Sequence, residues 1–142
     1  MEVNFQQVHK KVLQAVEQQV KSRCVRASNI LKQKSDDILS NKGGRSGRIY
    51  RKPHTKHATY QASAPGEPPA LRTGDLRRSW KPLPYSQMKA GENMFTPGIR
   101  TDVKYAPALQ HGTPKVAARP FEDEIKQAAW PEIKAIFDQP YL

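Results

Sequence analysis

All 12 prolines and all 8 glycines of this 142-residue chain lie beyond residue 42. Proline removes a backbone donor and glycine costs conformational entropy inside a helix, so their joint absence leaves the first segment free to form one long helix. The apolar residues keep helical time. Phe5, Val8, Val12, Val16, Val20, Cys24, Ala27 and Leu31 fall at steps of three or four, while Lys10, Gln14, Glu17 and Lys21 take the opposite face. Asn41 to Gly44 reads as the stop, with glycine available for a left-handed cap. Unbroken, such a helix is roughly 55 Å long, whereas a compact domain of this length is only about 40 Å across. Two outcomes are open: the helix breaks at Ser28-Asn29 or Ser35-Asp36, where serine caps a new start, or its apolar stripe continues onto a neighbouring subunit.

Length alone predicts one domain over 1–142, since about 140 residues cannot enclose two independent cores. Within it we distinguish an N-terminal helix (1–42), an extended basic arm or loop (43–72), and a sheet with a C-terminal helix (73–142). No apolar run approaches the roughly 18 to 20 residues that span a bilayer, in keeping with a mean hydropathy of −0.79. The first residues, MEVNFQQVHKK, contain no apolar signal-peptide core. The expectation is a protein made in the cytoplasm with no membrane contact. A single cysteine, Cys24, can form neither an intramolecular disulfide nor a thiolate metal cage.

The net charge of +11 is unevenly placed: residues 1–41 carry +3, residues 42–90 carry +9 and residues 91–142 carry −1. In that basic middle, Arg48 to Arg51 and Ala58 to Gln61 are candidate short strands without the alternating apolar run of a buried sheet. Thr73 is placed to cap a short helix, and Trp80 to Tyr85 is extended because Pro82 and Pro84 suit only an edge strand. Phe95 to Thr101 reads as a further strand, and Tyr105 to His111 as one or two helical turns ended by Gly112. The last helix carries Phe121, Ile125, Ala128, Ala129, Ile133, Ile136 and Phe137, with Glu122, Asp123 and Glu124 in its first turn, where the helix dipole favours acid. Pro131 either kinks it or starts a second helix. The predicted class is α+β: a long N-terminal helix and a C-terminal helix packed on a small antiparallel sheet, with a Pro/Gly-rich basic arm.

Residue patterns that carry catalysis are missing. His54 and His57 sit among lysines and arginines, which repel a metal cation and supply no ligand. No Gly-x-Ser-x-Gly elbow and no pair of carboxylates in an apolar setting occurs. The glycines of Gly43 to Arg48 lack the Gly-Lys-Ser/Thr of a phosphate loop and follow a helix, so they read as a joint. We therefore expect no enzyme, no cofactor and no metal. What remains is the basic middle, where Arg45, Lys52, Lys56, Arg72, Arg77 and Arg78 are candidate contacts to DNA or to an acidic partner. Tyr50, Tyr60 and Trp80 are interleaved with these cations. On the charge alone, non-specific nucleic-acid binding is one expectation, and a protein partner with an acidic face is equally allowed.

Three ordered blocks add a resemblance. SGRIYRKP at Ser46 to Pro53 leads into ASAPGEPPALRTGDLRRS at Ala62 to Ser79; YAPALQHGT follows at Tyr105 to Thr113, then Ala118-Arg-Pro-Phe121 before the last helix. Together they resemble the head-to-tail joining proteins of tailed bacteriophages, called neck or tail-completion proteins. The chain departs from that pattern at Gln110, where the family commonly has an acid, and at His111, where a large residue is frequent. The resemblance implies a non-enzymatic structural subunit of the virion, assembling as a hexameric ring at the head-tail junction. Its implied partners are copies of itself, the head connector or adaptor, and the tail-tube or tail-terminator protein, with packaged DNA nearby. Arg48, Tyr50, Arg51, Pro65, Gly66, Glu67, Pro68 and Pro69 are then the candidate assembly arm, stiffened by its prolines, with Leu71 and Leu76 anchoring its end.

Overall fold

The structure, a computed structural model, describes residues 2, 4–41 and 44–142. Lys42 and Gly43, part of the expected helix stop and glycine joint, lie outside the described residues. The fold is α+β. Helix α1 runs unbroken over Phe5–Ile38, and α4 over Glu122–Phe137. Between them come strands β1 (Ile49–Arg51) and β2 (Thr59–Gln61), helix α2 (Asp75–Ser79), and β3 (Lys81–Pro82). A 3₁₀ turn (Tyr85–Gln87), β4 (Lys89–Gly91), β5 (Met94–Phe95), β6 (Ile99–Arg100) and α3 (Ala106–His111) complete the order.

Helix α1 does not break at either serine pair. Asn4 starts it by accepting the amides of Gln6 (3.1 Å) and Gln7 (3.2 Å) on its side-chain oxygen. Ser28 and Ser35 lie mid-helix, wholly buried, and act inward: Ser28 Oγ accepts the Gly98 amide at 3.0 Å and Ser35 Oγ donates to Lys32 O at 2.9 Å. The chain leaves the helix through Leu39 and turns at Asn41, whose φ of 65° takes the left-handed conformation expected of a glycine.

In place of one sheet, the described residues form three separate antiparallel ribbons, β1-β2, β3-β6 and β4-β5. The expected strand from Phe95 to Thr101 is split, because Pro97 and Gly98 divide β5 from β6. Pro82 sits where an edge tolerates it, in a two-residue strand. Helix α2 begins on Gly74 at φ 85°, while the Thr73 hydroxyl just before it accepts the Asp75 amide at 3.4 Å and donates to the Asp75 carboxylate at 2.8 Å.

Helices α1 and α4 pack antiparallel on each other, as Lys34 meets Glu132 at one end and Arg23 meets residues 137–140 at the other. The core cluster is Leu39, Trp80, Phe121 and Ile125, with Leu31, Ile38, Leu76, Ile99 and Leu109 against it. Trp80 and Phe121 meet edge to face at 5.8 Å. Cys24 is buried, which pushes its thiol pKa up. Helix α4 continues through Pro131, which is exposed, so only one ladder bond is forfeited on the solvent side. Its first amides, Phe121 N (3.0 Å) and Glu122 N (3.1 Å), donate to Gln110 Oε1 from α3. Gln110 therefore supplies the acceptor that a helix start requires.

Candidate functional site

Two surfaces stand away from this body. The first is the leading part of α1, where every residue from 5 to 15 is exposed. Those 11 positions extend about 16 Å and include Phe5 (78% exposed), Val8 (49%), Val12 (41%) and Leu13 (49%). A stripe of this composition in water gains free energy from being covered, about 25 cal/mol for each Å² of apolar surface removed. Its helical form is propagated from the packed half downstream, where the costly nucleus is already established. Cover begins at half-buried Val16 and continues at Val20 and at Lys21, whose ammonium lies 5.9 Å from the Tyr85 ring.

The second surface is the β1-β2 hairpin. Both expected strands are present and largely exposed, paired Ile49 to Gln61, Tyr50 to Tyr60 and Arg51 to Thr59. Tyr50 and Tyr60 stack across the ladder with ring centroids 6.0 Å apart. The hairpin tip is organised by Thr55, whose hydroxyl donates to Lys52 O at 2.9 Å, and by His54 at φ 59°.

Below the ribbon the chain is tied down hard. Gly47 N donates to Ala62 O (2.8 Å), and a Cβ at Gly47 would lie 2.5 Å from that oxygen, so only glycine fits. Glu67 accepts from Ser46 N (3.1 Å), Ser46 Oγ and Ala64 N (2.8 Å). These bonds, led by the Ser46 hydroxyl, hold the Glu67 carboxyl below its usual range. Arg119 donates through Nε to Ser63 Oγ (2.7 Å) and through Nη2 to Ser63 O (3.1 Å). Arg45 Nη2 reaches Ile38 O (2.7 Å) and Pro69 O (3.2 Å), while Leu71 N donates to Asn41 Oδ1 (2.6 Å). Pro65, Gly66, Glu67, Pro68 and Pro69 thus form a loop folded back on the body, with Pro69 buried and the Gly66 amide donating to Ala118 O at 3.0 Å. The outstretched part is residues 48–60, above the proline segment rather than within it.

The candidate cations divide accordingly. Arg45 is engaged at the root, and Arg78 pairs with Asp75 at 2.8 Å. Arg72 and Arg77 line a cleft of about 610 Å³ between the hairpin, α2 and α3, whose walls include Tyr60, Leu71, Leu76 and Tyr105. Burial raises the Tyr105 hydroxyl pKa there. Lys52 and Lys56 remain on the hairpin, in company with Arg48 and Arg51. Leu76 packs on the core, while Leu71 lines the cleft.

Three tying residues escaped sequence reasoning: Arg119, Gln110 and Arg23. Arg119 and Gln110 stand inside the family-like blocks, which was their only signal; Arg23 had none. No helix among the described residues is long and apolar enough to cross a membrane, and no group of three His, Cys, Asp or Glu placed to hold a metal ion occurs among them. No family model, curated protein or solved structure matches this chain.

Proposed function

We propose that this chain is a structural, non-catalytic subunit of a tailed-phage neck, a tail-completion protein that joins the DNA-filled head to the tail. The observation that carries the reading is the uncovered apolar stripe of α1 over residues 5–15, projecting from a body whose own core it does not enter. A subunit completed by its neighbours has such a surface, because burial deferred from folding becomes available to assembly. The tied root supports the same reading: Ser46 with Glu67 and Ser63 with Arg119, all from the family-like blocks, form two hydrogen-bonded pairs at the base of the ribbon. Its partners are copies of itself in a hexameric ring, the head connector or adaptor on one side and the tail-tube or tail-terminator protein on the other. The mature protein then resides at the head-tail junction of the virion.

Light scattering of the pure protein, alone and mixed with tail-tube or connector protein, tests this. The expected result is a ring or a stable mixed complex; a persistent monomer that binds neither overturns it. In a phage, a null allele should leave filled heads and finished tails that fail to join, and normal infectious particles from that mutant would be equally decisive against it.

A further inference from the structure

We infer that the β1-β2 hairpin is a contact for duplex nucleic acid, gripping the phosphate backbone without reading sequence. Between Asp37 and Glu67 the chain has no acidic residue at all, while it carries Lys42, Arg45, Arg48, Arg51, Lys52 and Lys56. The structure concentrates Arg48, Arg51, Lys52 and Lys56 on one protruding ribbon. None of these cations has an ion-pair partner among the described residues, in contrast to Lys32, Lys34, Arg78 and Lys134, which do. Their field is therefore uncompensated and faces solvent.

Their arrangement favours a groove over a flat protein surface. Strand alternation puts Arg48 and Lys52 on the same side as Tyr50, Arg51 on the opposite side, and Lys56 at the turn. A flat partner meets one face of a ribbon and leaves the other charges in water. A groove walled by phosphates meets both faces and the tip, and the major groove of B-DNA, about 12 Å wide, admits a two-stranded ribbon. The choice of duplex over single strand follows from the tyrosines. Tyr50 and Tyr60 are stacked on each other at 6.0 Å, which stiffens the ribbon and takes up one face of each ring, halving the platform that unpaired bases would need. The root then matters mechanically, since the ties of Glu67 and Arg119 let the ribbon meet DNA already ordered. This inference goes beyond the ring-subunit reading and holds for the chain by itself.

The test is binding of the whole protein to a fluorescent duplex of about 20 base pairs between 50 and 200 mM NaCl. Four phosphate contacts give a slope near −3.6 in log affinity against log salt, an affinity loss of about 150-fold across that range. Replacing Arg48, Arg51, Lys52 and Lys56 together by Gln should abolish most of that dependence. A charge-matched control, with the exposed Lys81, Lys89, Lys104 and Lys115 replaced by Gln, should retain it. Circular dichroism checks that both variants stay folded, which the exposure of all the substituted strand and loop positions but half-buried Lys52 favours. Absence of duplex binding at 50 mM, or equal loss in both variants, overturns the inference. So does tighter binding of single strands, or of polyglutamate, than of duplex. Assembly is read by light scattering without nucleic acid, so failure here leaves the ring reading standing, and failure of the ring leaves this one.

Discussion

The two halves of α1 reverse the ordinary expectation of which side chains a helix hides. Its first three turns are the more apolar, with Phe5, Val8, Val12 and Leu13, and these are exposed. Further along, the side chains fully enclosed include Arg23, Ser28 and Ser35. Burying a guanidinium costs free energy unless its donors are matched; both terminal nitrogens of Arg23 are, while its Nε has no partner among the described residues. Arg23 donates to the carbonyls of Phe137 (3.4 Å), Gln139 (2.6 Å) and Pro140 (2.5 Å), and lies 3.8 Å from the centre of the Tyr141 ring. The Phe137 carbonyl ends α4, where no intrahelical donor remains and the dipole favours a cation, and the other two belong to the segment that follows the helix. The downstream half is thus fixed by directed polar contacts as well as by the packing of Leu31 and Ile38 on the core, while the upstream half holds only an undirected apolar stripe. A directed contact defines the fold of one chain; a stripe with no cover in its own chain is available to another.

That contrast predicts a graded response to mutation. Arg23→Ala removes the donors at the end of α4 together with the stacking on Tyr141, and should lower unfolding stability by about 3 kcal/mol. Arg23→Lys, which keeps the charge but not the planar fork, should recover only part of it. Urea unfolding followed by far-ultraviolet circular dichroism checks both, and a loss below about 0.5 kcal/mol for the alanine variant would mean that the buried fork is not what holds the two helices. Ser28→Ala comes next. It leaves the Gly98 amide without its acceptor, at a cost of about 1.5 kcal/mol, and the Gly98 amide should exchange with solvent faster than in the parent protein.

In the upstream half the same measurement should register little. Val8→Ser with Val12→Ser changes two exposed positions, so the unfolding free energy of the monomer should move by no more than about 0.5 kcal/mol per site. Self-association, measured by light scattering on the same samples, should fall sharply. A large stability loss in a monomeric sample would place the stripe in the chain's own core and erase the distinction between the halves.

How much of this was legible in the sequence depends on the range of the interaction. Local signals were clear: the breaker-free helix, buried Cys24, the acidic first turn of α4, and Gly112 at φ 77° after α3. Each is decided within a few residues by periodicity, capping or backbone sterics. The contacts that shape the candidate site are long-range. Arg23 reaches residues 137–140 and Arg119 reaches Ser63, and no spacing rule announces either pairing. The proline segment illustrates the same limit. Its composition describes a stiff extended spacer, yet Glu67, Arg45 and Arg119 bend it onto the body through hydrogen bonds whose partners lie up to 56 residues away. Periodicity likewise marked the stripe of α1 but carried no information on whether its cover comes from the same chain.

The smallest expected effect tests the seam electrostatically. Lys34 and Glu132 meet at 2.7 Å between α1 and α4, with the Lys34 side chain 21% exposed and that of Glu132 51%. The hydrogen bond to Glu132, followed by the coulombic pull of the same carboxylate, raises the Lys34 pKa above its ordinary value. A lysine whose folded pKa exceeds its unfolded one adds stability that is fully present below about pH 10.4 and is lost as the pH climbs through the folded value. Stability of the parent protein should therefore decline on the alkaline limb, and Lys34→Gln should flatten that decline slightly while hardly altering stability at pH 7, since a half-exposed pair contributes little. Lys11→Gln, in the uncovered half, should leave the limb as it was. An identical flattening in both variants would assign the decline to the general loss of positive charge, and the two halves of the helix would then be electrostatically alike.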